Sequence, residues 1–246
     1  MIHLLLAALT ATPSCWDIYD KALTHSAASA HPPYITYDER ISITDDDESL
    51  LRSAAHIDYR DDGMARVADE RFDYAPILTR EVEPGPPELG PYGPGRSMWL
   101  APPPGVPTIA VLRARGMVRC ANEGMERLKS REVYHLAFRG ANPARAHLDD
   151  LWIDAHSYDI WRLRVTGPVA LLASANSSIG LGKYDVEMAY QGPYLVVDHV
   201  VWSYRERIYS QYADYTGEYT FSDFAFPREL PPSFFASVAQ PLEQPQ

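Results

Sequence analysis

The stretch that decides the fold is Tyr184-Asp185-Val186-Glu187-Met188-Ala189-Tyr190-Gln191-Gly192-Pro193-Tyr194-Leu195-Val196-Val197-Asp198-His199-Val200-Val201-Trp202-Ser203-Tyr204. Tyr184, Val186, Met188 and Tyr190 alternate with Asp185, Glu187 and Gln191, the period-two pattern of a half-buried strand. Gln191-Gly192-Pro193 turns the chain. Tyr194 to Tyr204 then returns apolar on nearly both faces, as in a strand covered on both sides. The segment therefore reads as an antiparallel hairpin.

Its surroundings read the same way. Downstream, residues 205–215 and 218–226 are expected strands turning at Thr216-Gly217. Upstream, residues 151–154 and 159–166 form a hairpin through His156. Residues 108–115, 117–121 and 132–140 are expected strands, the last with Tyr134, Leu136 and Phe138 on one face. Residues 53–60 and 64–72 are two more, joined at Asp62-Gly63. In residues 34–44, Ile35, Tyr37, Ile41 and Ile43 share a face, with Glu39 the polar exception. The acidic run from Asp45 to Glu48 reads as a solvated turn, since it lacks the spaced ligands and glycine of a calcium loop. Residues 167–180 read as a loop holding the sequon Asn176-Ser177-Ser178.

One helix precedes the strands. Ser14 is placed to cap it, and Trp16, Tyr19, Leu23 and Ala27 fall at near-helical spacing before His31-Pro32-Pro33 stops it. Between Pro84 and Pro107 there are nine prolines and five glycines in 24 residues, which no central strand tolerates. We read residues 84–107 as a long loop within one domain spanning residues 15–236, with 237–246 a flexible tail. The expected class is mainly β: a curled antiparallel sheet of about ten or eleven strands in a meander, covered by the N-terminal helix.

Composition agrees. A 246-residue chain with 46% hydrophobic residues buries a core without disulfides or metals. Twenty-one prolines and sixteen tyrosines favour turns and half-wet strands over long helices. A net charge of −11 sets nucleic acid aside as a partner. Residues 2–11 are too short to span a bilayer but fit the apolar core of a signal peptide, so residues 1–14 are expected to direct export. The competing reading is a buried N-terminal element of a cytosolic protein. Cys15 and Cys120 allow three readings: a disulfide contributing about 4–5 kcal/mol, lipidation of Cys15 as a membrane anchor, or two plain thiols.

The search for chemistry returns little. Gly180-Leu181-Gly182 lacks a third glycine and precedes a strand, so it makes no phosphate loop. There is no Gly-x-Ser-x-Gly elbow and no His-Glu-x-x-His. His147 and His156 near Asp149, Asp150 and Asp154 form the densest set of ligand types, read as a polar hairpin rim ahead of a metal or acid–base site. His199, among valines, reads as satisfied or ligand-facing. No catalytic residue, metal or cofactor is expected. The candidate ligand cavity is lined by Tyr134, Leu136, Phe138, Trp161, Tyr184, Val186, Met188 and Tyr190; the same residues also read as ordinary core.

Leu151-Trp152-Ile153-Asp154-Ala155-His156-Ser157-Tyr158-Asp159-Ile160-Trp161-Arg162-Leu163 resembles the Leu-Trp-x-Asp…Arg-Leu hairpin of the LolA/LolB-like superfamily of periplasmic lipoprotein carriers. The preceding Gly124-Met125-Glu126-Arg127-Leu128-Lys129-Ser130-Arg131-Glu132-Val133-Tyr134-His135-Leu136 is similar to the matching segment there. So is the closing Tyr219-Thr220-Phe221-Ser222-Asp223-Phe224 with Leu230-Pro231 and Phe234-Phe235. The resemblance covers residues 109–235 and, more weakly, the leading helix. It implies an unclosed β-barrel wrapped around helices with an apolar cavity. It also implies a non-catalytic, periplasmic or secreted protein holding a lipid, a lipoprotein acyl chain or another hydrophobic ligand. An envelope sensor or scaffold that binds a protein, as in RseB-type relatives, is the alternative; a hydrolase using the polar rim is a third. The loop at 84–107 departs from the compact carriers.

Overall fold

Ser14 opens helix α1, Cys15–Ala28: its hydroxyl accepts the Asp17 amide at 3.2 Å, and Asp17 places a negative charge in the first turn. Ile18, Tyr19 and Ala22 share the buried face. These assignments come from a computed structural model that describes residues 13–29, 31–45, 48–60, 65–74, 109–140, 147–169, 180–208 and 211–231. All but the last two residues of the expected signal segment, the 84–107 loop, the centre of the acidic run, the Asp62-Gly63 turn, the sequon and the tail lie outside them.

Ten strands follow: β1 Tyr34–Asp45, β2 Glu48–Arg60, β3 Ala65–Tyr74, β4 Arg119–Leu128, β5 Arg131–Arg139, β6 His147–Asp154, β7 Ile160–Val169, β8 Gly180–Gln191, β9 Tyr194–Ile208 and β10 Gln211–Ala225. They form one open antiparallel sheet, β3-β2-β1-β10-β9-β8-β7-β6-β5-β4. A single meander was expected. Instead two meanders, β1–β3 and β4–β10, join where β1 pairs with β10, with β3 and β4 at opposite edges. The proline-rich stretch separates β3 from β4 in sequence.

Two further expectations are corrected. Residues 108–115 were expected to form a strand, but Ile109–Ala114 is a short helix, α2. Alanine, leucine and arginine outweigh its two β-branched residues, and Gly116, at φ +64°, closes it with Met117 N bonded to Leu112 O at 2.8 Å. The turn expected at Thr216-Gly217 is absent: β10 runs straight through, pairing Thr216 with Ser203 and Gly217 with Trp202. Gly217 is not a breaker there. It leaves room for the Trp202 indole, which occupies the place of a Cβ.

The sheet has an inner face, covered by α1, and an outer face. Ile41, Ile43, Leu136, Phe138, Leu151, Leu163, Val165, Tyr184, Val186, Val200, Trp202, Tyr215 and Tyr219 bury their side chains on the inner face together with Ile18, Tyr19 and Ala22 of α1. Trp16, Tyr19 and Phe138 pack edge-on with ring centres 5.4–6.0 Å apart, which seats the helix over β5. Cys15 and Cys120 are bonded, with Cα atoms 5.7 Å apart, tying the start of α1 to edge strand β4. Arg113 of α2 stacks 4.3 Å over Trp16 and reaches Asp20 at 2.9 Å.

Across β4 to β8 the outer face carries charge. His135 stacks on Trp152 at 4.6 Å, and its ring nitrogens lie 2.7 Å from Glu126 and 3.1 Å from Asp150. Arg162 and Arg164 cover the Trp152 ring from the β7 side and both hold Asp185, Arg162 through its Nε at 2.6 Å and Arg164 at 3.1 Å. Burial pushes the Asp185 carboxyl up, but the two guanidiniums outweigh it and hold the group below the usual carboxylate range. A depressed carboxyl contributes stability that is complete above its unfolded value of about 3.9 and is lost as pH falls through the folded value. Urea midpoints should therefore drop steeply below about pH 4. Asp185→Asn should flatten that acid limb; an unchanged limb would show that Asp185 contributes nothing to it.

Candidate functional site

Among the described residues, a mouth opens on the inner face between the end of α1 and the β8–β9 hairpin. Three elements meet there. The end of α1 brings His25, Ser26 and Ser29, the turn between β6 and β7 brings Tyr158 and Asp159, and the hairpin brings Tyr190, Pro193 and Tyr194. They surround a cavity of about 170 Å³ whose apolar wall is Ile160, Met188 and Leu195. Ile160 and Met188 belong to the inner-face core, so the cavity opens directly onto it.

The polar side centres on Asp159, which is 5% exposed. Its carboxylate accepts Ser157 Oγ at 2.6 Å and Tyr190 Oη at 3.1 Å, and His25 Nε2 lies 2.9 Å from its other oxygen. Burial, and then the Asp159 charge, raise the Tyr190 phenol above its ordinary value, so it remains a donor. Lys21 adds a bond to the Tyr158 hydroxyl at 3.3 Å. The turn is shaped by Asp154, whose Oδ1 accepts the His156 and Ser157 amides at 2.9 and 3.0 Å. Burial works against the Asp154 charge, yet those amides and Arg131 bring its pKa below the usual range. Together these bonds pin the C-terminal half of α1 to the turn and the hairpin.

Serine, aspartate and histidine meet here, but in the wrong order for nucleophilic chemistry. A serine is activated when the imidazole sits between it and the carboxylate. In this protein the carboxylate sits between Ser157 and His25. The rim set is also dispersed. His156 has its side chain 82% exposed with Nδ1 3.9 Å from Asp154, and the side chain of His147 lies outside the described part. Among the described residues, no group of three or more metal-ligating side chains is placed to hold an ion. His199 faces the outer side and bonds Glu218 at 2.7 Å.

Of the candidate cavity residues, Met188 and Tyr190 line the mouth. Leu136, Phe138, Tyr184 and Val186 lie behind it in the packed inner core, with Tyr134 at its margin. Trp161 does not line the mouth; it packs with Val133 and Trp152 beneath the Arg131 guanidinium, 3.9 Å from its ring, and edge-on against Tyr190 at 5.6 Å. Sequence reasoning did not single out His25, Asp159, Ile160 or Leu195. The only available signal was the hairpin resemblance, which includes Asp159 and Ile160. The approach of His25 crosses 134 positions and leaves no local pattern.

No protein-family model matches the chain, and no curated protein matches it. Among solved structures it is similar to a LolA superfamily protein of Nitrosomonas europaea, at 12% identity and TM-score 0.35, over 92% of this chain and 98% of that one. It is similar to a DUF1329 family protein of Desulfovibrio piger, at 13% identity and TM-score 0.41, over 93% and 100%. The MucA/MucB complex of Pseudomonas aeruginosa matches at 9% identity and TM-score 0.26, over 91% and 96%.

Proposed function

We propose that this chain is a non-catalytic, extracytoplasmic binding protein that holds the apolar part of an amphiphile on the inner face of its sheet. The observation that carries the reading is the mouth cavity, with an apolar wall that continues into the core and a polar rim. A dry apolar cavity of about 150 Å³ is large enough for a benzene-sized group. The mouth, at about 170 Å³, therefore takes a ring or a short length of chain without rearrangement. A longer acyl chain requires the end of α1 to lift. The bonds that resist this are polar and partly exposed: His25 to Asp159 and Lys21 to Tyr158. Exposed contacts such as Lys21 to Tyr158 contribute about 0–1 kcal/mol each, and Asp159 keeps Ser157 and Tyr190 as donors when His25 leaves. The disulfide at the other end keeps the helix attached while it moves.

Titration of the full chain with a fluorescent fatty acid should reach saturation near one ligand per protein. Met188→Trp fills the wall and should weaken binding at least tenfold, the loss expected when about 1.4 kcal/mol of apolar contact is removed. Leu195→Trp fills the same wall from the neighbouring strand and should do the same, so a folding defect in either variant leaves the other to decide. Undiminished binding by two folded variants would place the ligand elsewhere.

A further inference from the structure

Seven of the described arginines answer a carboxylate. Arg66, Arg113, Arg131, Arg139, Arg162, Arg164 and Arg205 each lie within 4.0 Å of one. Three of the remaining arginines stand together. Arg40 of β1, Arg52 of β2 and Arg71 of β3 line a single depression of about 430 Å³ on the outer face. Among the described residues, none of the three has a hydrogen bond or ion pair. In a chain of net charge −11, three guanidiniums in one place are a local reversal of sign.

The register explains how they converge. Arg40 pairs with Ala54, and Ala54 pairs with Arg71, so two arginines flank an alanine in one row. Arg52 lies two residues away on the same face of β2, across from Ser42. Strands spaced by about 4.8 Å put the flanking Cα atoms about 10 Å apart, with only the small Ala54 side chain between them. Like charges so arranged on neighbouring strands repel and lower stability. Two carboxylates share the depression: Glu218, engaged by His199 at 2.7 Å, and Asp73, which pairs across from Arg52 in the ladder without forming an ion pair. The cationic surplus is therefore real but small.

We propose that this depression binds a phosphate-class anion through the three guanidiniums. The planar fork of arginine suits phosphate oxygens, and a bound dianion removes the repulsion among the three. Because Ile41 and Ile43 point inward, the alternate residues Arg40 and Ser42 face away from the apolar core. The site is thus separate from the mouth and independent of what the mouth holds. The phosphate could be free or carried on a lipid headgroup.

The test uses the full chain in low-salt buffer. Calorimetric titration with inorganic phosphate reads the free anion, and flotation with phosphatidylglycerol/phosphatidylcholine vesicles reads the headgroup. Saturable binding in the first arm alone identifies free phosphate as the source; binding in both, or in the second alone, identifies the headgroup. In either case Arg71→Gln should weaken binding about tenfold, as loss of one charge-assisted contact does. Arg52→Lys, which keeps the charge and loses the fork, should weaken it less. Arg119→Gln on the far edge strand should leave it unchanged. All three positions in the depression are exposed, so folding is checked by unaltered thermal melts. No saturable binding in either arm overturns the proposal, and so does undiminished binding by a folded R40Q/R52Q/R71Q variant. Fatty-acid titration of the same samples reports the mouth separately.

Discussion

Gly217→Val should lower the stability of this protein by about 3 kcal/mol, the upper end of the usual cost of overpacking a core. A Cβ at position 217 overlaps Cε2, Cζ2 and Nε1 of Trp202. Trp202 is 2% exposed and surrounded by Tyr184, Tyr219 and the rest of the inner core, so the ring has nowhere to go. Trp202→Ala should cost about 3–5 kcal/mol by leaving a cavity. The two effects are not independent. Once the indole is gone, a valine at 217 points into the vacated space. The double variant should therefore be less destabilised than the sum by about 1–3 kcal/mol, measured by urea unfolding. Additive losses would mean that Trp202 does not fill the space above Gly217.

The second large effect concerns α1. Cys15→Ser with Cys120→Ser should cost about 2–5 kcal/mol, the usual range for a native disulfide. The bridge spans 105 positions and joins the helix to an edge strand, so its loss also frees the start of α1. What remains is the aromatic packing of Trp16 and Tyr19 on Phe138, the Arg113 clamp, and the polar bonds at the far end. Amide exchange across Cys15–Ala28 should quicken far more than exchange in the central strands β1, β9 and β10. Equal change in both regions would indicate that the helix is fixed by packing alone.

The sheet was legible because its strands bury one face. Ile35, Tyr37, Ile41 and Ile43 carry their period of two into burial of 0–6% exposure, and the β8–β9 hairpin turns at the residues that announced it. Ser14 and the spacing of Trp16 and Tyr19 likewise gave α1 to within one residue. The failures share a cause. Gly217 was read for its backbone freedom, when its role is the absence of a side chain beneath an indole fifteen positions earlier. Residues 109–114 were read as part of a strand, when a glycine two positions on allows a helical cap. The mouth was hidden for the same reason: His25, Asp159 and Tyr190 meet only because the sheet and helix are assembled. Pairing of β1 with β10 is a long-range event that no local pattern encodes.

In the proposed binding mode the apolar part of an amphiphile enters beneath the end of α1. Hydrogen exchange of the full chain, with and without saturating fatty acid, tests this most directly. Slower exchange is predicted in the second half of α1, at residues 158–160 and at 188–195, with the Arg40, Arg52 and Arg71 region unchanged. Saturable binding with no protection at the mouth, or protection confined to the outer face, would contradict it.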